Sequence, residues 1–411
     1  MPEQVILASL NLYDNVFLTK IEEKMLNGEM GAAVQLAARI VVKIGDVLGA
    51  ERLVPIKDAH ISGISFKNIG EPGLDFLKML IKKKAKFAVP TTINPAGFDL
   101  KKWEKMNVDK KFLGKQREVI DNLIKIGANP LLSCTPYEVK RLSYGQHIAW
   151  SESNAVLYAN SIIGARTNRE GGPLAIFEAI IGRAPYTGLH LDENRLPEVL
   201  VRFPENSETL SPALLGYALG LIVKKGVPYV ENFVFRKIYE IKLFLAAIGA
   251  SSSIGLVLLE GISPDLKKCW RKIRKTELEK VEITEDELED SRSKISGDMT
   301  NIDAFFLGCP HLSERELREI YYFLRKRKVE RRLILFTARK VVEEYANIVD
   351  KLESKGVEIY ADTCMVVSDI SKMGIRRLAL DSAKAAYYLT AQGYKVTFLD
   401  REEILRIVSG G

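Results

Sequence analysis

Residues 303–337 read DAFFLGCPHLSERELREIYYFLRKRKVERRLILFT. An apolar run, a charged stretch with helical spacing and a second apolar run follow one another, which is the pattern of strand, helix and strand. The pattern continues to the C-terminus. VEIYAD, RRLALD and KVTFLD read as further strands, with helices after RLILFT, RRLALD and KVTFLD. Alternation of this kind predicts an α/β fold with a parallel sheet. The carboxyl ends of parallel strands share one edge, and ligands bind there. Cys309 directly follows the first of these strands, Cys364 ends the third, and Ser382 and Lys384 follow the fourth. Strand phase alone therefore predicts that Cys309, Cys364 and Lys384 converge.

Toward the N-terminus, residues 263–297 mark a boundary. LKKCWRKIRK is basic and TEDELEDSRSK is acidic, and Thr284 and Glu287 have the spacing of a capping box. Residues 298–411 are thus expected to form a C-terminal domain, 206–297 a middle region with its charged linker, and 1–205 an N-terminal α/β region. Cys269 lies among Lys and Arg, away from any strand end, and is not expected to be a ligand. In the middle region, SSSIG lacks the spacing of a phosphate-binding loop.

In the N-terminal region, residues 14–48 read as helices and 53–59 as a strand. A small-residue loop, 60–65, follows, in which Gly63, Ile64 and Ser65 can bring backbone N–H groups to a ligand. His60 is expected to be a structural histidine. Glu71 and Pro72 open a helix, with Pro at a first-turn position. Residues 86–90 read as a strand ending in the turn TTINPAG, which carries Asn94 and Pro95. A helix is expected over 115–127, stopped by Gly127. Residues 129–134 read as a strand delivering Cys134 to a turn. Glu152 and Ser153 stand at the mouth of a helix through AVLYANSIIGAR, which runs into Arg166, Thr167, Asn168, Arg169 and Glu170. Two arginines with Asn and Glu suggest a hydrogen-bonded network.

Composition narrows the function. The 411 residues are 47% hydrophobic and 27% charged, ordinary for a globular chain of two or three domains. The net charge of +7 is spread along the chain rather than gathered as in a nucleic-acid binder. No apolar run approaches the ~18–20 residues that span a bilayer. The opening MPEQVILASLNLYDN lacks the pattern of a secretion signal, so a cytoplasmic protein is expected. The four cysteines, with no CxxC pair, make neither a disulfide framework nor a zinc ribbon. Three strand-end cysteines with one left over fit a three-thiolate iron–sulfur site. Electron-transfer clusters usually take four cysteines, so three would leave an iron open as a Lewis acid, which favours dehydration over redox chemistry. Zinc held by three cysteines and the histidine of Cys309-Pro310-His311 is the competing occupant.

Several stretches together resemble the aconitase X family over nearly the whole chain: HISGISFKNIGEPGLDFL, VPTTINPAGFDL, CTPYE, GQHIAWSESNAVLYANSIIGARTNREGGP, GRAPYTGLHLDENR and GCPHLS. The resemblance implies a multi-domain aconitase-like architecture with a cleft active site. It also implies a 4Fe-4S cluster, seen as 3Fe-4S after loss of one iron, held by Cys134, Cys309 and Cys364. Substrate would meet Gly63, Ile64, Ser65, Asn94, Pro95, Glu152, Ser153 and Lys384, with Glu152, Ser153 and Lys384 catalytic. A chain of this length resembles the large subunit of the family's archaeal two-subunit branch, whose small subunit carries the swivelling domain. That branch converts mevalonate 5-phosphate to trans-anhydromevalonate 5-phosphate in isoprenoid synthesis, and the single-chain branch dehydrates cis-3-hydroxy-L-proline. In the wider superfamily a serine of the swivelling domain removes the C–H proton; within this chain Glu152 is the candidate base. An iron-sensing, RNA-binding protein of aconitase type is the alternative from another class. The sequence departs from the family pattern at Leu380-Asp381-Ser382, where Thr-Asn-Ser is expected.

Overall fold

A computed structural model of the chain describes residues 15–205, 207–269 and 278–410. The opening segment read for a secretion signal lies outside them up to residue 14, as do the basic residues 270–275 and the side chain of Cys269. The fold is mixed α/β, and among the described residues it is built on three separate parallel sheets and one antiparallel strand pair.

The N-terminal sheet is small. β1 (Leu53–Pro55) is followed by β2 (Ala59–Ser62), β3 (Thr91–Asn94), β4 (Ala149–Trp150) and β5 (Arg183–Pro185). β2 is central in a parallel sheet of order β3-β2-β4, and β1 pairs with β5 antiparallel. Four expectations are corrected here. Residues 53–59 are not one strand: β1 and β2 belong to different sheets. Residues 60–62 continue β2 rather than forming a loop, because a parallel strand paired on both sides and covered on both faces buries consecutive residues and shows no alternation. The strand expected at 86–90 begins instead at Thr91, where β-branched and fully buried residues follow Pro90. The stretch 129–134 is also not a strand. It tracks β3 through Asn129 N to Thr91 O (2.8 Å) and Leu132 N to Ile93 O (2.9 Å), but Leu132 has φ +50°.

The helices hold closer to expectation. Lys20–Asn27 and Ala32–Val47 fill the first helical stretch. Phe66–Lys82 is broken at Gly70 (φ 56°, ψ −161°), so Pro72 does open a helical segment. Lys110–Ile126 starts earlier than expected, because Asp109 accepts the N–H of Phe112, and ends at Gly127.

The middle segment holds β6 (Val199–Arg202), β7 (Pro228–Val230), β8 (Leu258–Leu259) and β9 (Glu279–Glu282) in a parallel sheet of order β8-β7-β6-β9. Two largely apolar helices, Pro212–Val223 and Ile238–Ser251, are packed against each other. Their approach is close enough that a Cβ on Gly216 would sit 2.3 Å from the Phe244 carbonyl oxygen. The Thr284–Glu287 capping box opens helix Glu285–Ile295.

The last segment holds β10 (Ala304–Leu312), β11 (Leu333–Thr337), β12 (Glu358–Ala361), β13 (Arg377–Leu380) and β14 (Lys395–Phe398), all parallel, in the order β12-β11-β10-β13-β14. This is a doubly wound sheet whose strand order reverses beside β10 and β13, the position at which such sheets bind ligands. β10 leaves its regular ladder after Leu307, at Gly308. Gly308 has φ +111°, and a Cβ there would lie 2.2 Å from the Phe336 carbonyl oxygen. Gly308→Ala is expected to cost about 3 kcal/mol or more through combined strain and overpacking, seen as a lowered denaturation midpoint of the metal-free protein. Asp381, the departure from the family pattern, is buried and accepts Arg401 Nε at 2.7 Å. No helix of the described residues is long and apolar enough to cross a membrane.

Candidate metal and substrate site

A cavity of about 280 Å³ collects the residues at the carboxyl ends of β2, β3 and β4 and those after β12 and β13, together with the end of β10. Cys309 enters from β10, Cys364 from the loop after β12, and Lys384 from the first turn of helix Ala383–Ala391, whose cap is Ser382. Cys134 joins them from the irregular segment beside β3. Gly63, Asn94, Pro95, Glu152 and Ser153 also line the cavity. Ile64 and Ser65 do not. Ile64 packs in the N-terminal core, and Ser65 caps the helix beginning at Phe66, its hydroxyl buried without a partner.

The three cysteines are buried and unbridged. Burial pushes the Cys309 thiol up to about 12 and raises Cys134 and Cys364 as well. Such thiols are inert at neutral pH unless a cation takes the place of the proton, so the donor set suits a soft metal group. Among the described residues, no three His, Cys, Asp or Glu side chains close on one metal ion. His311, the fourth ligand of the zinc alternative, has both ring nitrogens engaged: Nδ1 with Ser133 Oγ at 3.1 Å and Nε2 with the Thr363 carbonyl at 2.7 Å.

Beside the thiols, Lys384 Nζ donates to Glu152 Oε1 at 2.6 Å. The side chains of both are only 11% and 12% exposed. Asn154 donates to the same oxygen at 3.0 Å and Asn94 donates to Oε2 at 3.1 Å. Burial alone would raise the Glu152 carboxyl, but Lys384 and the Asn154 hydrogen bond leave it below its ordinary value. Burial would lower Lys384, yet Glu152 and the nearby thiols hold it above its ordinary value. The cavity thus carries a fixed ion pair. Asn94 lines the cavity, and its Oδ1 is buried with no hydrogen-bond partner among the described residues.

Neighbouring groups frame the site. His60 is fully buried, bonded through Nδ1 to Thr92 Oγ1 at 2.8 Å and kept neutral by burial, which lowers it to about 3. Arg166 binds Asp192 (2.9 Å) and Asp265 (3.1 Å), and Arg169 donates to the carbonyls of Gly249 and Ser252. The arginine network therefore ties the N-terminal and middle segments together. A larger cavity, about 480 Å³, lies by Arg401 and Tyr239. Its deepest charges are paired off, Arg401 with Asp381 and Glu316 and Glu240 with Arg236.

Sequence reasoning missed Ser62, Ser151, Asn154 and Tyr388. Ser62 N–H donates to Ser151 Oγ at 2.7 Å, and the Ser62 hydroxyl donates to Ser151 O at 3.0 Å, zipping β2 to the end of β4. Asn154 bonds both the Cys134 carbonyl, at 3.1 Å, and Glu152. Its adjacency to Glu152 in WSESN was the one available signal.

Comparison with known proteins places this geometry. The profiles of the Aconitase X first, second and third domains match residues 15–193, 197–293 and 302–409. The chain is 40% identical to a phosphomevalonate dehydratase large subunit of Thermococcus kodakarensis, over 95% of this chain and 99% of that one. The protein of the same name from Methanocaldococcus jannaschii is 37% identical over 95% and 100%. A cis-3-hydroxy-L-proline dehydratase of Pseudomonas aeruginosa is 33% identical over 90% of this chain and 66% of its own length. The crystal structure of the holo-form of Thermococcus kodakaraensis aconitase X superposes with a TM-score of 0.88 at 38% identity, covering 95% of this chain and all of that one.

Proposed function

This chain belongs to the aconitase X family, and from that premise we propose that it is the large subunit of a hydro-lyase that dehydrates mevalonate 5-phosphate to trans-anhydromevalonate 5-phosphate. The observation that carries the chemistry is the meeting of three buried thiols with the Glu152–Lys384 pair on one cavity. The choice of substrate rests on the relatives: those named phosphomevalonate dehydratase large subunit are 34–40% identical, and the cis-3-hydroxy-L-proline dehydratases 30–33%.

Cys134, Cys309 and Cys364 would hold an iron–sulfur cluster. With three protein ligands such a cluster supplies an iron open to act as a Lewis acid on the leaving hydroxyl. The chain's own residues bind and orient. Lys384, held cationic, offers its ammonium to a carboxylate or phosphate of the substrate. Gly63, at φ +82°, turns the backbone beside the cavity at a position no other residue adopts easily. Glu152 is a poor base, because Lys384, with Asn154 beside it, outweighs burial and lowers its proton affinity. It orients Lys384 and Asn94, and the proton-abstracting group then belongs to a partner small subunit.

The test is anaerobic reconstitution with iron and sulfide, with and without a small subunit, assayed on mevalonate 5-phosphate and on cis-3-hydroxy-L-proline. Turnover of mevalonate 5-phosphate that requires the small subunit is the expected result. Turnover of hydroxyproline alone would reassign the substrate, and salt-sensitive RNA binding by a cluster-free, inactive protein would reassign the class.

A further inference from the structure

We propose that His311 is a positioning residue that locks the three cysteine-bearing segments into one frame before any metal arrives. The proposal rests on the reading that Cys134, Cys309 and Cys364 form the metal site. His311 stands two residues beyond Cys309 on β10 and is fully buried. Its four polar atoms reach three separate segments. Its backbone N–H donates to Cys134 Sγ at 3.3 Å. Nδ1 meets the hydroxyl of Ser133, the residue before Cys134, at 3.1 Å. Nε2 meets the carbonyl of Thr363, the residue before Cys364, at 2.7 Å. Its own carbonyl accepts Lys242 Nζ at 2.8 Å, from the buried helix Ile238–Ser251 of the middle segment. Lys242 is itself fixed by Glu138, at 2.6 Å, and by Glu316, at 2.7 Å.

The chemistry of the ring sets the direction of these bonds. A carbonyl only accepts, so Nε2 carries the proton and donates to Thr363. In the neutral ring Nδ1 then accepts from the Ser133 hydroxyl. One imidazole is thereby the strut between the Cys134 segment and the Cys364 loop, and the strand bearing Cys309 supplies it. A buried histidine serving only the core would need its partners satisfied, but not one partner adjacent to each of the two distant cysteines. Because both nitrogens are committed, His311 orients ligands and is not one of them.

The test compares the wild type with His311→Leu, His311→Gln and Ser133→Ala. In the metal-free proteins, hydrogen exchange of residues 131–136 and 362–367 is expected to accelerate about tenfold or more in His311→Leu, as two buried hydrogen bonds are lost. The amides of β11 and β14 should stay unchanged. His311→Gln, whose amide N–H can reach the Thr363 carbonyl, should restore protection at 362–367. Ser133→Ala should loosen 131–136 alone. After reconstitution, His311→Leu should release iron about tenfold faster and broaden the electron paramagnetic resonance signal of the oxidised cluster, with His311→Gln in between. Unchanged exchange in His311→Leu, a uniform rise over the whole chain, or a Gln variant no better than Leu would overturn the proposal. If the wild type takes up no cluster, the functional reading fails, while the exchange measurements still decide the role of His311.

Discussion

Cys309→Ser, Cys134→Ser and Cys364→Ser are each expected to abolish both cluster uptake and turnover, while Cys269→Ser is expected to leave both intact. The three thiols lie on one cavity, and none is used in a disulfide. A serine hydroxyl fills nearly the same space, but it is a hard donor that stays protonated where a soft metal group needs a thiolate. The loss should therefore be of binding and not of folding. Melting temperatures of the metal-free Ser variants are expected within a few degrees of the wild type, because the substitutions face the cavity. The measurement is iron and acid-labile sulfide per chain after anaerobic reconstitution, read beside the melting curve. A full iron complement in any of the three would remove that residue from the ligand set. Loss in Cys269→Ser would bring in a fourth cysteine and, with it, the electron-transfer type of site.

How far the sequence foretells this site differs along the chain. In the C-terminal sheet each strand is a short apolar run flanked by amphipathic helices, so phase alone places Cys309, Cys364 and Lys384 on one edge. Cys134 gives no such signal. Its segment looks extended, yet Leu132 takes φ +50° and the chain leaves β3. What delivers its sulfur to the cavity is packing against β10 through His311, 177 residues away. The strands of the N-terminal sheet are misplaced for a related reason. They have four residues or fewer and are covered, so neither alternation nor length marks them, and the apolar run at 86–90 outweighs the buried TTIN that forms the strand. Ser62 and Ser151 are likewise invisible, since their roles arise from a pairing across 89 residues. Ile64 and Ser65 enter the expected site by proximity to Gly63, and beyond the turn at Gly63 the side chain of Ile64 packs in the core while Ser65 stands at a helix cap.

The Glu152–Lys384 pair is expected to separate stability from catalysis. Lys384→Met removes the only cation hydrogen-bonded to Glu152 among the described residues and leaves a carboxylate that is 12% exposed without its charge partner. Breaking such a pair costs about 3 kcal/mol at neutral pH, and loss of the ammonium lowers kcat/KM by a factor on the order of 10²–10³. Adding Glu152→Gln removes the stranded charge, so the double variant should regain most of the stability and none of the activity. The pH dependence has a definite sign. In the wild type the folded value of Glu152 is depressed, so its contribution is present above the ordinary value of 4.5 and is lost as pH falls through the folded value. The folded value of Lys384 is raised, so its contribution is complete below the ordinary value of 10.5 and is lost as pH rises through the folded value. The pair therefore stabilises fully between those ordinary values. In Lys384→Met the burial of Glu152 is no longer opposed by an ammonium, and its carboxyl must rise. The deficit against wild type should then be full at pH 7 and shrink as pH falls toward 4.5, where protonation relieves the stranded charge. Melting curves of metal-free wild type, single and double variants from pH 4.5 to 8 give the answer. A deficit independent of pH would mean that Lys384 acts through packing of its stem and not through its charge, and Glu152 would return as the candidate base.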